Sequence, residues 1–168
     1  MDGVLRNLAK EIWGDDNLED YFTPLPPPNS KLTLIEYLAK RPNILLKAQP
    51  YMDYLNAVNY VFTNGIYILT AIPDIPKLRE NTVKWCKKWI RSPHEIIFVD
   101  NVKDKINFLK MPDDVLVDDY PFKESETDDR IYIIDRMYNK HINAINRIKN
   151  AGFLSIYLMR RCYEERRR

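Results

Sequence analysis

The chain has 168 residues, 45% of them hydrophobic and 30% charged, a balance that describes one folded domain and excludes a disordered chain. Its 26 basic and 24 acidic residues leave a net charge of +2, which argues against a nucleic-acid surface spread over the whole molecule. Cys86 and Cys162 have no metal-ligand spacing, and no apolar run approaches a membrane span or a signal peptide. A reducing compartment and a cytoplasmic location are the default expectations.

In chain order, Arg6 to Trp13 predicts a short helix stopped by the Gly14–Asn17 turn cluster. DYFTPLPPPNS follows, and its three consecutive prolines predict an extended loop, with proline-motif recognition as a second reading. LTLIEYLAKR predicts a helix capped near Asn29 or Ser30 and ended before Pro42. Tyr51, Leu55, Val58 and Phe62 recur with helical spacing, so 47–62 predicts an amphipathic helix ended by Asn64-Gly65.

The second half changes rhythm. Ile66–Leu69, Glu95–Val99 and Val115–Val117 are short continuous apolar runs, as in strands buried on both faces. Between the first two, Thr82, Trp85, Cys86, Trp89 and Ile90 form a helical stripe. A helix is expected from about Tyr138 to Asn150, with Ile142, Ile145 and Ile148 on one face and Gly152 as its stop. A fourth strand is expected at FLSIYL, 153–158. Strands alternating with helices predict an α/β fold, a Rossmann-like parallel sheet with helices on both faces. Ligands of such sheets sit beyond the carboxyl ends of the strands.

Those ends carry chemistry. Thr70 closes the first apolar run, Asp118-Asp119 closes the third, and Lys103 and Lys105 follow the second. A hydroxyl, an ammonium and paired carboxylates suit phosphoryl chemistry with a divalent cation. Hard oxygens hold Mg²⁺, while the hydroxyl and lysine hold phosphoryl oxygens. Taken singly, each has a plainer reading: a strand-end cap, a solvated lysine, or a turn before Pro121.

The order of MDGVL, YILTA, a lysine in KDKINFL and the acidic pair in DDVLVDDYP resembles the haloacid dehalogenase-like (HAD) phosphohydrolases. Within them it is most similar to the 5'(3')-deoxyribonucleotidase family. The resemblance runs from about Met1 to Leu158 and implies a single HAD-like domain over 1–168, with 18–62 as a small helical cap inserted after the first motif. It implies Asp2 as general acid and then base, and Thr70 and Lys105 as phosphoryl ligands, with Lys103 the competing lysine. It further implies Asp118, Asp119 and the Asp2 carbonyl as ligands of Mg²⁺.

The substrate class implied is a nucleoside monophosphate or similar small phosphate ester, hydrolysed through an aspartyl-phosphate. The family's nucleophile is the first aspartate of Asp-x-Asp, which here falls immediately before Met1, together with a strand central to the sheet. N-terminal truncation is the expected reason, and a catalytically inactive relative that binds a nucleotide or a protein is the alternative. The C-terminal MRRCYEERRR predicts a solvated helix, because Glu164 and Glu165 dilute its arginines as a nucleic-acid contact.

Overall fold

The computed structural model describes residues 1–15, 27, 29–60, 66–91, 93 and 95–165. The triple-proline stretch (apart from Pro27), Phe62 and the Asn64-Gly65 stop lie outside the described residues. Among the described residues, six α-helices and five strands follow in order: α1 (Leu8–Trp13), α2 (Leu34–Lys40), α3 (Ile44–Lys47), α4 (Met52–Tyr60), β1 (Tyr67–Ala71) and α5 (Pro76–Trp89). Then come β2 (Glu95–Val99), a 3₁₀ helix (Val102–Phe108), β3 (Leu116–Asp118), β4 (Ile131–Ile134), β5 (Asn146–Ile148) and α6 (Ala151–Glu165). No helix among the described residues is long and apolar enough to cross a membrane.

Every strand pair is parallel, so the chain is α/β as expected. The strands form two small sheets, β1-β2 and β3-β4-β5. Tyr67 to Ala71 run in register with Glu95 to Val99, and Leu116 to Asp118 with Ile131 to Ile133.

Local chemistry explains most helix ends. Asn7 accepts from the Lys10 amide at the start of α1, and Gly14 ends it in left-handed geometry. The cap of α2 is Thr33, not Asn29 or Ser30: Thr33 and Glu36 form a reciprocal capping box. The helix expected from Lys47 begins only at Met52, because Pro50 stands within its expected first turn and keeps α4 separate from α3. Pro76 occupies the first turn of α5, where its missing N–H costs nothing.

The last third corrects the sequence reading. In place of a helix over 138–150 there is a 3₁₀ turn (Met137–Asn139) and then β5. The isoleucines at 142, 145 and 148 imitate a helical period, but only Ile148 is buried. In place of a strand over 153–158 there is α6. Gly152 sits in its first turn, and the Asn150 side chain accepts from the Phe153 amide. A short apolar run cannot by itself separate strand from buried helix. Here Leu154 is 1% exposed while Phe153, Ile156 and Met159 face outward, a helical distribution. The strand that follows β3 is instead IYII at 131–134, a run without an assigned element in the sequence reading.

The main core joins Met1, Val4 and Leu5 to Leu55 of α4, Ile68 of β1, Trp85 of α5 and Leu154 of α6. Trp85 is fully buried and donates to the Ala48 carbonyl at 2.7 Å, tying α5 to the end of α3. A second cluster packs Leu8, Leu38, Leu45 and Leu78, joining α1, α2 and α3 to α5. Of the segment 18–62, therefore, α2 and α3 lie over α5 and α1, while α4 packs on α6 within the main core. Backbone ¹³Cα shifts test the corrected region. Residues 153–158 are expected to show uniformly helical, downfield shifts, and upfield strand-like values there would contradict α6.

Candidate functional site

The first turn of the chain begins the site. Met1 and Asp2 lead into a tight turn in which the amides of Leu5 and Gly3 donate to the carbonyls of Met1 and Arg6. Gly3 has φ +76°, and a Cβ placed on it would overlap the Asp119 carboxylate. Glycine is needed here for backbone geometry and for close approach. Arg136, beyond β4, donates to the Gly3 carbonyl from Nε at 3.0 Å and a terminal nitrogen at 2.8 Å. Its guanidinium also lies over Tyr51 and Tyr54. The turn is thereby anchored to the second sheet.

The other groups arrive as the strands end. Thr70 stands near the carboxyl end of β1, 1% exposed, and its hydroxyl has no hydrogen-bond partner among the described residues. Asp118 closes β3 and Asp119 follows it, both buried. Lys105 projects from the 3₁₀ helix after β2 and is 4% exposed, whereas Lys103 of the same helix faces solvent. Lys105 is thus the lysine placed at the strand ends. Its Nζ lies 2.6 Å from Asp118 Oδ2.

Asp2, Thr70, Lys105, Asp118 and Asp119 line one cavity of about 470 Å³. Thr33, Leu34 and Leu38 of the α2 region and Asp100 and Asn101 after β2 share its wall. The sequence separates these five groups by as many as 117 positions, and the parallel strands bring them together. This is the expected consequence of placing polar groups at the carboxyl ends of parallel strands, here from two sheets.

Electrostatics divides their roles. Burial works against the Lys105 ammonium, but Asp118 outweighs it and holds the amine above its ordinary range. Burial likewise pushes Asp118 up, and Lys105 reverses this, so the pair stays charged. Asp119 differs: burial and the neighbouring Asp118 charge raise its carboxyl to about 7. The Tyr138 hydroxyl donates to Asp119 Oδ2, and Asn139 Nδ2 donates at 2.8 Å to both the Asp119 and Ile134 carbonyls.

Asp2 is the member whose environment departs most from its expected role. Its carboxylate is clamped by Arg6, with Nε 2.5 Å from Oδ1 and a terminal nitrogen 3.0 Å from Oδ2. Arg6 is fully buried, also donates to the Leu45 carbonyl, and lies against Trp85. Burial raises the Asp2 carboxyl, but Arg6 prevails and holds it below the ordinary range. As folded, Asp2 is an ionised acceptor rather than a proton donor.

For a divalent cation, the described residues contain no cluster of three or more acidic, histidine or cysteine ligands. Asp118 and Asp119 nonetheless offer adjacent buried carboxylates whose mutual repulsion a cation would relieve. One or two carboxylates completed by water is the usual protein share of a Mg²⁺ shell. The donor chemistry therefore fits magnesium through that pair.

Arg6, Arg136, Tyr138 and Asn139 were not singled out in the sequence. The available signal was Asp135-Arg136 directly after the apolar IYII, the same pattern of a strand ending in polar groups that marks Thr70 and Asp118. Arg6, an arginine between a Val-Leu pair and a helix, gives no such signal. No family model, curated protein or solved structure matches the chain.

The raised Asp119 carboxyl has a consequence for stability. An unfolded aspartate titrates near about 4. The native state therefore holds the extra proton between about 4 and 7, and this group's contribution falls as pH rises through that window. The slope is at most about 1.4 kcal/mol per pH unit. Urea unfolding in chelator should show a wild-type curve that declines relative to Asp119→Asn between pH 4 and 7. Parallel curves would contradict the assignment.

Proposed function

We propose that this chain carries the phosphoryl-handling part of a Mg²⁺-dependent phosphatase resembling the 5'(3')-deoxyribonucleotidases, acting on nucleoside monophosphates or similar small esters. The observation that carries the reading is the meeting of Asp2, Thr70, Lys105, Asp118 and Asp119 in one cavity. A buried hydroxyl with no described partner and a buried ammonium are what a phosphoryl group would satisfy.

In this reading the Thr70 hydroxyl and the Lys105 ammonium bind phosphoryl oxygens, and Asp118 keeps Lys105 charged and aimed. Asp118, Asp119 and the Asp2 carbonyl would hold Mg²⁺, which supplies neutralisation of the phosphoryl charge when bound. Asp2, ionised beside Arg6, is suited to accept a proton from an attacking water. Donating a proton to a leaving alcohol requires that the Arg6 contact first be released. The nucleophilic aspartate that the resemblance implies is not among these residues. Helix α2 and the loop before it close part of the cavity wall, where a nucleoside would lie.

The clamp on Asp2 favours a second reading, an inactive relative that binds a nucleotide without turning it over. One experiment separates the two. The chain is extended ahead of Met1 by an apolar strand ending in aspartate and assayed with deoxynucleoside monophosphates and Mg²⁺. Phosphate release at least about 100-fold above the Asp118→Asn variant is expected. Release equal to that of the variant would overturn the phosphatase reading, and saturable nucleotide binding without release would establish the second.

A further inference from the structure

Positive charge is concentrated on one helix. Between Pro76 and Arg91 stand six basic residues and one acidic, whereas the rest of the chain holds 20 basic and 23 acidic. Lys77, Glu80, Lys84, Lys87 and Lys88 of α5 are exposed, as is Arg91 just beyond it, while Leu78, Trp85 and Cys86 are buried. At about 100° per residue, the four lysines and Glu80 fall within an arc of about 100° on the outer side of the helix. The arc runs alongside the segment 42–48, because Asn81 Nδ2 donates to the Pro42 carbonyl at 2.9 Å and Trp85 to the Ala48 carbonyl. That segment and the two residues ahead of it add exposed Lys40, Arg41 and Lys47, with no acidic residue from Tyr37 to Met52.

Helix stability accounts for only part of this charge. Lys87 and Lys88 lie in the last turn, where a cation suits the negative end of the helix dipole. Lys77 lies in the first turn, where a cation opposes the dipole, and no acidic residue stands in that turn. Glu80 is shared between Lys77 at 2.9 Å and Lys84 at 2.5 Å, so the arc keeps a surplus of positive charge. Lys88 is held over the Trp89 ring, 4.6 Å from its centre. Asp74, just ahead of the helix, is paired with Arg79 at 3.1 Å, outside the arc.

We propose that this face of α5, with Lys40, Arg41 and Lys47 beside it, binds the phosphate backbone of double-stranded nucleic acid. A polyanion supplies the complementary charge. Lys77 and Lys88 are about 16 Å apart along the helix axis, a length over which duplex DNA presents about nine phosphate charges. A membrane fits less well. A helix that lies on a bilayer buries an apolar face in it, whereas α5 gives its apolar side to the core and exposes no large hydrophobic residue. The arc also exposes no aromatic ring on which unpaired bases could stack, which favours a duplex over a single strand. Lysine contacts to phosphate carry no sequence information, so binding does not depend on base sequence. None of these residues belongs to the strand-end site, and the proposal is independent of the phosphatase reading.

The test uses the 168-residue chain and a labelled DNA duplex of about 20 base pairs, followed by fluorescence anisotropy at about 50 mM salt and above. Saturable binding that weakens steeply with salt is expected. Lys84→Gln combined with Lys88→Gln is expected to weaken binding by about 10-fold or more and to flatten the logarithmic salt slope by about 2. Lys110→Gln combined with Lys123→Gln, exposed lysines outside this face, is expected to change neither quantity. Near-UV circular dichroism should be the same for both double variants. Absence of saturable binding would overturn the proposal, and so would equal weakening by the two double variants. Binding lost on deleting Arg166–Arg168 but kept by the Lys84/Lys88 variant would overturn it in favour of the C-terminal arginines. Tighter binding to phosphatidylserine vesicles than to the duplex would overturn it in favour of a membrane surface.

Discussion

A buried ammonium 2.6 Å from a buried carboxylate, Lys105 with Asp118, is the contact on which the arrangement turns. It joins the helix that follows β2 to the end of β3, and so links strand ends that belong to two different sheets. Burying such a pair gains little net stability, since desolvation offsets the attraction, yet removing either partner alone leaves an uncompensated charge. The pair is therefore better understood as a device of position. It holds a charged nitrogen at the mouth of the sheet and sets the potential that Asp119 feels. Burial, with Asp118 ionised beside it, moves Asp119 up to about 7.

A second buried cation organises the other side. Arg6 fastens Asp2, the Leu45 carbonyl and the Trp85 ring into one cluster, which fixes the first turn against α3 and α5. Arg136 fixes the same turn from the β4 side through the Gly3 carbonyl. Gly3 is thus gripped from both directions, and its missing Cβ leaves room for the Asp119 carboxylate. The Thr70 hydroxyl is buried with no partner among the described residues, a condition that costs about 1–3 kcal/mol. Natural proteins tolerate such groups chiefly where a ligand satisfies them.

Much of this was legible in the residues, unevenly. The strand-end groups were readable because short apolar runs terminate abruptly in Thr70 and in Asp118-Asp119, and parallel sheets gather such termini. Lys105 and Lys103 could not be told apart by spacing; the 3₁₀ geometry buries Lys105 and exposes Lys103. The region 131–165 misled for physical reasons. Strands of three or four residues are too short to display a period, and Ile142, Ile145 and Ile148 imitate a helical face across a turn. The run FLSIYL is apolar enough for either element, and its place on a helix is settled by packing of Leu154 rather than by pattern. Arg6 was invisible because nothing local marks a cation that will be buried by Trp85 and Leu45, far away in sequence. The division of the sheet into two is likewise a tertiary fact.

The central claim is that the cavity at the strand ends binds a phosphoryl group, and Thr70 tests it most directly. Thr70→Val keeps the shape of the side chain and removes only the hydroxyl. Binding of inorganic phosphate in the presence of Mg²⁺, followed by ³¹P line broadening, is predicted to be saturable in the wild type and lost in this variant. Stability to urea should be equal or higher, because a buried hydroxyl without a described partner has been removed. Undiminished phosphate binding by Thr70→Val, or no binding by the wild type, would contradict the account.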